Sequence, residues 1–217
     1  MELHYMLGLS DVFVLLFVTL GPPLKVPAAY FDVTRTLEPR AAKQLATRAF
    51  AFALAASLLG GAVGAALMSK WHISIPAMTL AAGVVFFLVS LRGVLAEYDA
   101  HMHPPVAPDP AAPVPSAFRI AVPMLVTPYG MAAIILLVAR SRQMERGLTV
   151  GALVIAVMLL NLLAMRYARP ILRFIGTIPL QLFTTIVGVL TIGLSLQILI
   201  SGLVGLGLID AGVVNGG

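Results

Sequence analysis

The chain has no cysteine in its 217 residues, which excludes disulfides, thiol nucleophiles and thiolate-ligated metals. Charge is nearly as scarce. Asp, Glu, Lys and Arg together make up 11%, where soluble domains carry roughly 25%. Acidic groups are scarcest. All nine (Glu2, Asp11, Asp32, Glu38, Glu97, Asp99, Asp109, Glu145 and Asp210) lie outside the long apolar runs or at their edges. A proton pump ordinarily keeps an ionisable group in its membrane interior, so carboxylate-mediated proton coupling is not expected. No nucleophile, base and orienting group fall into a constellation, so the protein is not expected to be an enzyme. His101 and His103 form an H-x-H without further ligands, and no metal or cofactor is expected.

What the chain has instead is hydrocarbon. It is 60% hydrophobic, its mean hydropathy is +1.01, and apolar runs of membrane-spanning length, about 17–25 residues, recur throughout. Six spans are expected, at 11–30, 44–68, 73–95, 117–139, 148–165 and 178–206, and they leave no room for a soluble domain. The N-terminal "MELHYMLGLSD" lacks the positive start and cleavage site of a signal peptide, so the first span is expected to be retained. A net charge of +5 would suggest nucleic acid in a soluble protein. Here the basic residues flank spans, so no nucleic-acid partner is expected.

Nine positives (Arg35, Arg40, Lys43, Arg48, Arg92, Arg119, Arg166, Arg169 and Arg173) follow spans one, three and five, against Lys70, Arg140, Arg142 and Arg146 on the other side. The positive-inside rule then predicts that both termini lie outside the cytoplasm. Trp71, beside Lys70 and His72, reads as an interfacial anchor.

Six prolines crowd residues 97–116, a composition that favours an extended linker. The chain is thus expected to divide into 1–96, the linker 97–116, and 117–217, and the outer parts correspond. Pro22 and Pro27 recur as Pro123 and Pro128, each 101 residues on. Gly83, Val84, Ser90 and Leu91 recur as Gly188, Val189, Ser195 and Leu196 at an offset of 105. Three spans per half would invert the second half in the membrane, and inverted repeats with matched broken helices point to a transporter. The expected fold is therefore an all-α membrane protein with six transmembrane helices in two inverted three-helix repeats. Broken helices one and four would meet near the membrane midplane.

"LGPPLKVPAAY" (20–30) carries the first break and Lys25. Proline removes a donor and clashes with the preceding turn, and such backbone survives at that depth only when it is buried in protein or lines a cavity. Free half-helix N-termini would attract an anion and free C-terminal carbonyls a cation, which suits a zwitterion. Lys25 either snorkels to the interface or faces a cavity and pairs with a carboxylate. Asn161 in span five is costly to bury unpaired and is a candidate for lining the pathway. Ser57, Thr79, Ser90, Thr184, Thr185 and Ser195 read as packing residues. Ala56, Gly60 and Gly64 form a close-packing face, within the chain or between copies in a homo-oligomer.

These features resemble the MarC family of inner-membrane proteins, whose members include SnatA-type carriers of small neutral amino acids. "ISIPAMTLAAGVVFFLVSLR" and "VGVLTIGLSLQILISGL" carry the closest likeness. The family's first motif places Asn or Asp before its proline, where this chain has Gly21; its second is Gly-Pro-Gly, where this chain has Thr127-Pro128-Tyr129-Gly130. The resemblance implies a multi-pass inner-membrane carrier that moves a small neutral amino acid or similar metabolite by alternating access, as exporter or exchanger. The substrate site would combine Gly21, Pro22, Lys25, Pro27, Thr127, Pro128, Gly130 and Asn161. The alternative is a non-transporting scaffold or regulatory protein on the same fold.

Overall fold

A computed structural model describes residues 12–20, 25–102, 116–141 and 144–210. Within these the protein is helical, with no strand among the described residues. Residues 12–19 form α1. There follow α2 (Lys25–Thr34), α3 (Pro39–Lys70), α4 (Ile75–Met102), α5 (Ala117–Ile120), α6 (Pro128–Arg140), α7 (Met144–Arg166), α8 (Ala168–Ile175) and α9 (Thr177–Gly205). Among the described residues four helices, α3, α4, α7 and α9, are long and apolar enough to cross a membrane, and α6 is a shorter apolar helix. The described residues of the expected first span form α1 and α2, and the expected fourth is in two pieces, α5 and α6.

α7 is the central helix. Of its spanning segment 39% is buried, against 17% for each of α3, α4 and α9, whose outward Leu, Val and Phe side chains are left for lipid. The core around α7 gathers Leu16 and Leu20 at α1, Ala46, Ala49 and Ala53 of α3, Ile120 of α5 and Leu125 just before α6. Alanine every turn on α3 lets the neighbouring backbones close in, which is how membrane helices associate without a hydrophobic drive.

Glycine does the same for α4 and α9. A Cβ on Gly83 would stand 2.9 Å from the Leu199 backbone nitrogen, one on Gly202 2.8 Å from Leu80, and one on Gly188 2.9 Å from Val94. Residue number rises on one helix as it falls on the other, so the pair is antiparallel. The Gly60/Gly64 face is used within the chain, seating Met131 and Ile135 of α6.

Two connections differ from expectation. α4 runs through Met102, into the stretch read as linker, because the prolines begin only at Pro104. Residues 103–115, and the remaining linker expectation with them, lie outside the described residues. Between α7 and α9 the chain forms α8, with Arg169 and Arg173 on it and Phe174 93% exposed. Arg169 Nη2 donates to Leu37 O at 2.7 Å and ties α8 to the α2–α3 turn. Gly176 then reverses the chain with φ 77°, a conformation glycine adopts without a Cβ penalty.

Candidate functional site: the junction of the broken helices

The site is built from unsatisfied helix ends. A continuing α1 would need the N–H of residue 23 for the Thr19 carbonyl, but residues 22 and 23 are prolines and have none. Regular bonding runs up to Leu20 N, which donates to Leu16 O at 2.9 Å. The Thr19 carbonyl is thereby left to find a donor elsewhere, and the Leu20 carbonyl, in the last turn of α1, also takes one from outside the helix.

The donors come from the other half of the chain. Thr127 Oγ1 donates to Thr19 O at 2.5 Å, and Asn161 Nδ2 donates to Leu20 O at 3.2 Å. The same Thr127 hydroxyl accepts from Gly130 N at 3.1 Å, so it caps α6 while it holds α1. Thr127 is extended (φ −81°, ψ 150°) and precedes Pro128, which fits a helix start: a threonine cap, then proline at the first position, where its missing N–H is no loss. The carbonyl end of α1 thus abuts the N-terminus of α6, and their opposite partial charges attract.

The approach is close enough to require glycine at 130. A Cβ there would lie 2.7 Å from Thr127 Oγ1, 2.8 Å from Thr19 O and 3.0 Å from Leu20 Cδ2. Upstream, Val122 adopts φ −125° and ψ 119° inside a π-turn over Ala121–Leu125, the extended conformation imposed on a residue preceding proline. Val126 N closes that turn on Ala121 O at 2.8 Å. Such π-turns recur at functional sites. Tyr129 stacks on Phe86 of α4, with ring centroids 4.4 Å apart and planes 18° from parallel, which anchors the cap to the α4–α9 pair.

Two buried polar atoms in the described residues have no partner, Asn161 Oδ1 and Ser57 Oγ; their residues are 1% and 0% exposed. The Asn161 orientation follows from its bond, because the reverse would set Oδ1 against the Leu20 carbonyl. Ser57 lies level with the start of α6, since Gly60 and Gly64, next along α3, face Met131 and Ile135. Ser57 and Asn161 stand 104 residues apart, between the offsets of 101 and 105 at which the prolines and the Gly-Val and Ser-Leu pairs recur.

The structure therefore brings Thr127, Pro128, Gly130 and Asn161 to one place, and buries Pro27 in the first turns of α2. Lys25 begins α2, but its side chain, like Gly21 and Pro22, lies outside the described residues. The expectation of free half-helix ends needs revision. Thr19 O and Leu20 O accept from Thr127 and Asn161, and the α6 end is capped by the Thr127 hydroxyl, which accepts from Gly130 N. The sequence reading missed Thr19 and Leu20, whose carbonyls matter rather than their side chains. Their signal was the proline pair just beyond them.

Clefts flank the junction along α7. One of about 530 Å³ lies among α3, α6 and α7, reaching from Ser141 and Gly147 to Val154. Another of about 340 Å³ lies towards the opposite end, with Tyr30, Thr34 and Met165 in its wall. Between Val154 and Met165 the helix presents buried Val157, Met158 and Asn161.

One family profile, described as MarC family integral membrane protein, matches residues 7–206. No curated protein and no solved structure matches the chain.

Proposed function

The chain belongs to the MarC family of integral membrane proteins, and from that premise we propose that it is a carrier for a small neutral amino acid or a metabolite of similar size. It would work by export or exchange with alternating access and make or break no bond. The observation that carries this reading is the junction. Two broken segments from opposite halves of the chain meet there, and the amide oxygen of Asn161, 1% exposed, is left without a donor. An unpaired buried acceptor costs about 1–3 kcal/mol, and a substrate ammonium group would supply the missing donor. Lys25, at the start of α2, is the group proposed for the carboxylate.

The six-span inverted repeat belongs to the same proposal. It is supported by the antiparallel α4–α9 pair, in which the matched residues Gly83 and Gly188 each seat the other helix. The matched positions of Ser57 and Asn161 support it further. Clefts towards opposite ends of α7, parted by Val157, Met158 and Asn161, are what a rocking carrier closed at its centre would present. Placement in the inner membrane follows the family likeness, and the orientation with both termini outside the cytoplasm follows the positive-inside rule. It gains support from the cleft that gathers Lys43, Arg48 and Arg166 at one end of the bundle.

Counterflow tests the reading. Proteoliposomes preloaded with unlabelled alanine, threonine or glycine should accumulate labelled substrate with the wild type and lose that accumulation with Lys25→Ala, Pro128→Ala or Asn161→Leu. A folded wild type that accumulates none of the three overturns the amino-acid assignment. The scaffold reading would then gain, and the engaged Thr19 and Leu20 carbonyls already favour it.

A further inference from the structure

A second polar feature lies away from the junction. At the end of the bundle where α3 begins and α7 ends, Lys43, Gln44, Thr47, Arg48 and Arg166 line a cleft of about 290 Å³. Three of the five are cations and none is a carboxylate. Thr47 spends its proton on Lys43 O at 3.0 Å, which leaves the ammonium, two guanidinium groups and the Gln44 amide as donors.

Depth follows from the sequence. On α3 the uncharged run from Ala49 to Ser69 lies between Arg48 and Lys70, and at 1.5 Å per residue it spans about 30 Å, the thickness of the hydrocarbon core. Arg48 therefore stands at the hydrocarbon boundary, with Lys43, Gln44 and Thr47 in the next turn or two. Headgroups extend about 5–7 Å beyond the core on each side, which is that depth. Arg166 reaches it from α7, as the last residue of a helix uncharged from Gly147 to Met165. Beside it, α8 carries Arg173 next to Phe174, the pattern of a helix lying in the interface with its aromatic in the acyl boundary.

Three like charges in one concavity repel one another and call for an anion, and guanidinium forks match phosphate oxygens in pairs. We propose that this cleft is a binding site for the headgroup phosphate of an anionic phospholipid, held by Lys43, Arg48 and Arg166.

Native mass spectrometry of the full chain, purified from bilayers of equal phosphatidylglycerol and phosphatidylethanolamine, tests this. The wild type should retain phosphatidylglycerol in excess. Lys43→Gln, Arg48→Gln and Arg166→Gln should each lower that excess about fivefold, while Arg48→Lys keeps most of it. Lys70→Gln with Arg140→Gln, at the other end, should leave it unchanged. Equal retention of the two lipids by the wild type, or an undiminished excess in the three Gln variants, overturns the proposal. Should those variants not fold, thermal unfolding of the wild type decides. Added phosphatidylglycerol should raise Tm, and phosphatidylethanolamine or free glycerol phosphate should not. An equal rise with either overturns the lipid assignment, and with glycerol phosphate it marks a soluble-anion site instead.

Discussion

Replacing Gly130 with alanine perturbs the junction by one methyl group. That methyl would sit 2.7 Å from Thr127 Oγ1 and 2.8 Å from Thr19 O. Both are oxygens of the bond that joins the halves, and one belongs to backbone. Neither can swing aside as a side-chain end does, so α1 and α6 must part. Overpacking of this kind costs about 1–3 kcal/mol. Loss of the Thr127–Thr19 hydrogen bond adds about 0.6 kcal/mol on the membrane scale. Alanine's better helix propensity returns at most about 1 kcal/mol. A net loss near 2 kcal/mol should lower Tm by about 4–8 °C for a chain of this size. Thermal unfolding of the detergent-solubilised protein reads this directly, with Gly193→Ala as reference, since a Cβ there meets nothing within 4 Å. If Gly130→Ala melts at or above the Gly193→Ala temperature, the close junction is wrong.

Gly202→Ala should destabilise more than Gly64→Ala in the same assay. The first sets a methyl 2.8 Å from the Leu80 backbone, whereas the second meets only the movable end of Ile135. Ser57→Ala removes a buried hydroxyl that has no partner and should leave Tm unchanged or raise it by up to about 1 kcal/mol equivalent; a marked fall would mean that the hydroxyl is bonded in the bilayer. His72 holds φ 54° in a helix C-cap closed by Ile73 N on Met68 O at 3.0 Å. His72→Gly should therefore raise stability by about 1 kcal/mol in thermal unfolding. A cysteine placed at position 25 in this cysteine-free chain should react with a membrane-impermeant thiol reagent from at least one side. Complete protection from both sides counts against an aqueous path to the start of α2.

The sequence by itself determined the solvent and the breaks. Scarce charge and long apolar runs can bury their backbone polar groups in lipid only as helices, so α3, α4, α7 and α9 were legible from composition. Pro123 and Pro128 act locally, through a missing N–H and a clash with the preceding turn, so the break between α5 and α6 was legible too. Only the tertiary structure decided what completes the broken ends. Thr127 reaches Thr19 across 108 residues and Asn161 reaches Leu20 across 141, and no local rule selects one donor for an orphan carbonyl among the several polar residues of the spans. The same holds for Lys43, Arg48 and Arg166. Their charges were countable, but their meeting in one cleft depends on how α3 and α7 pack, and the small Ala46, Ala49 and Ala53 share that core with α7.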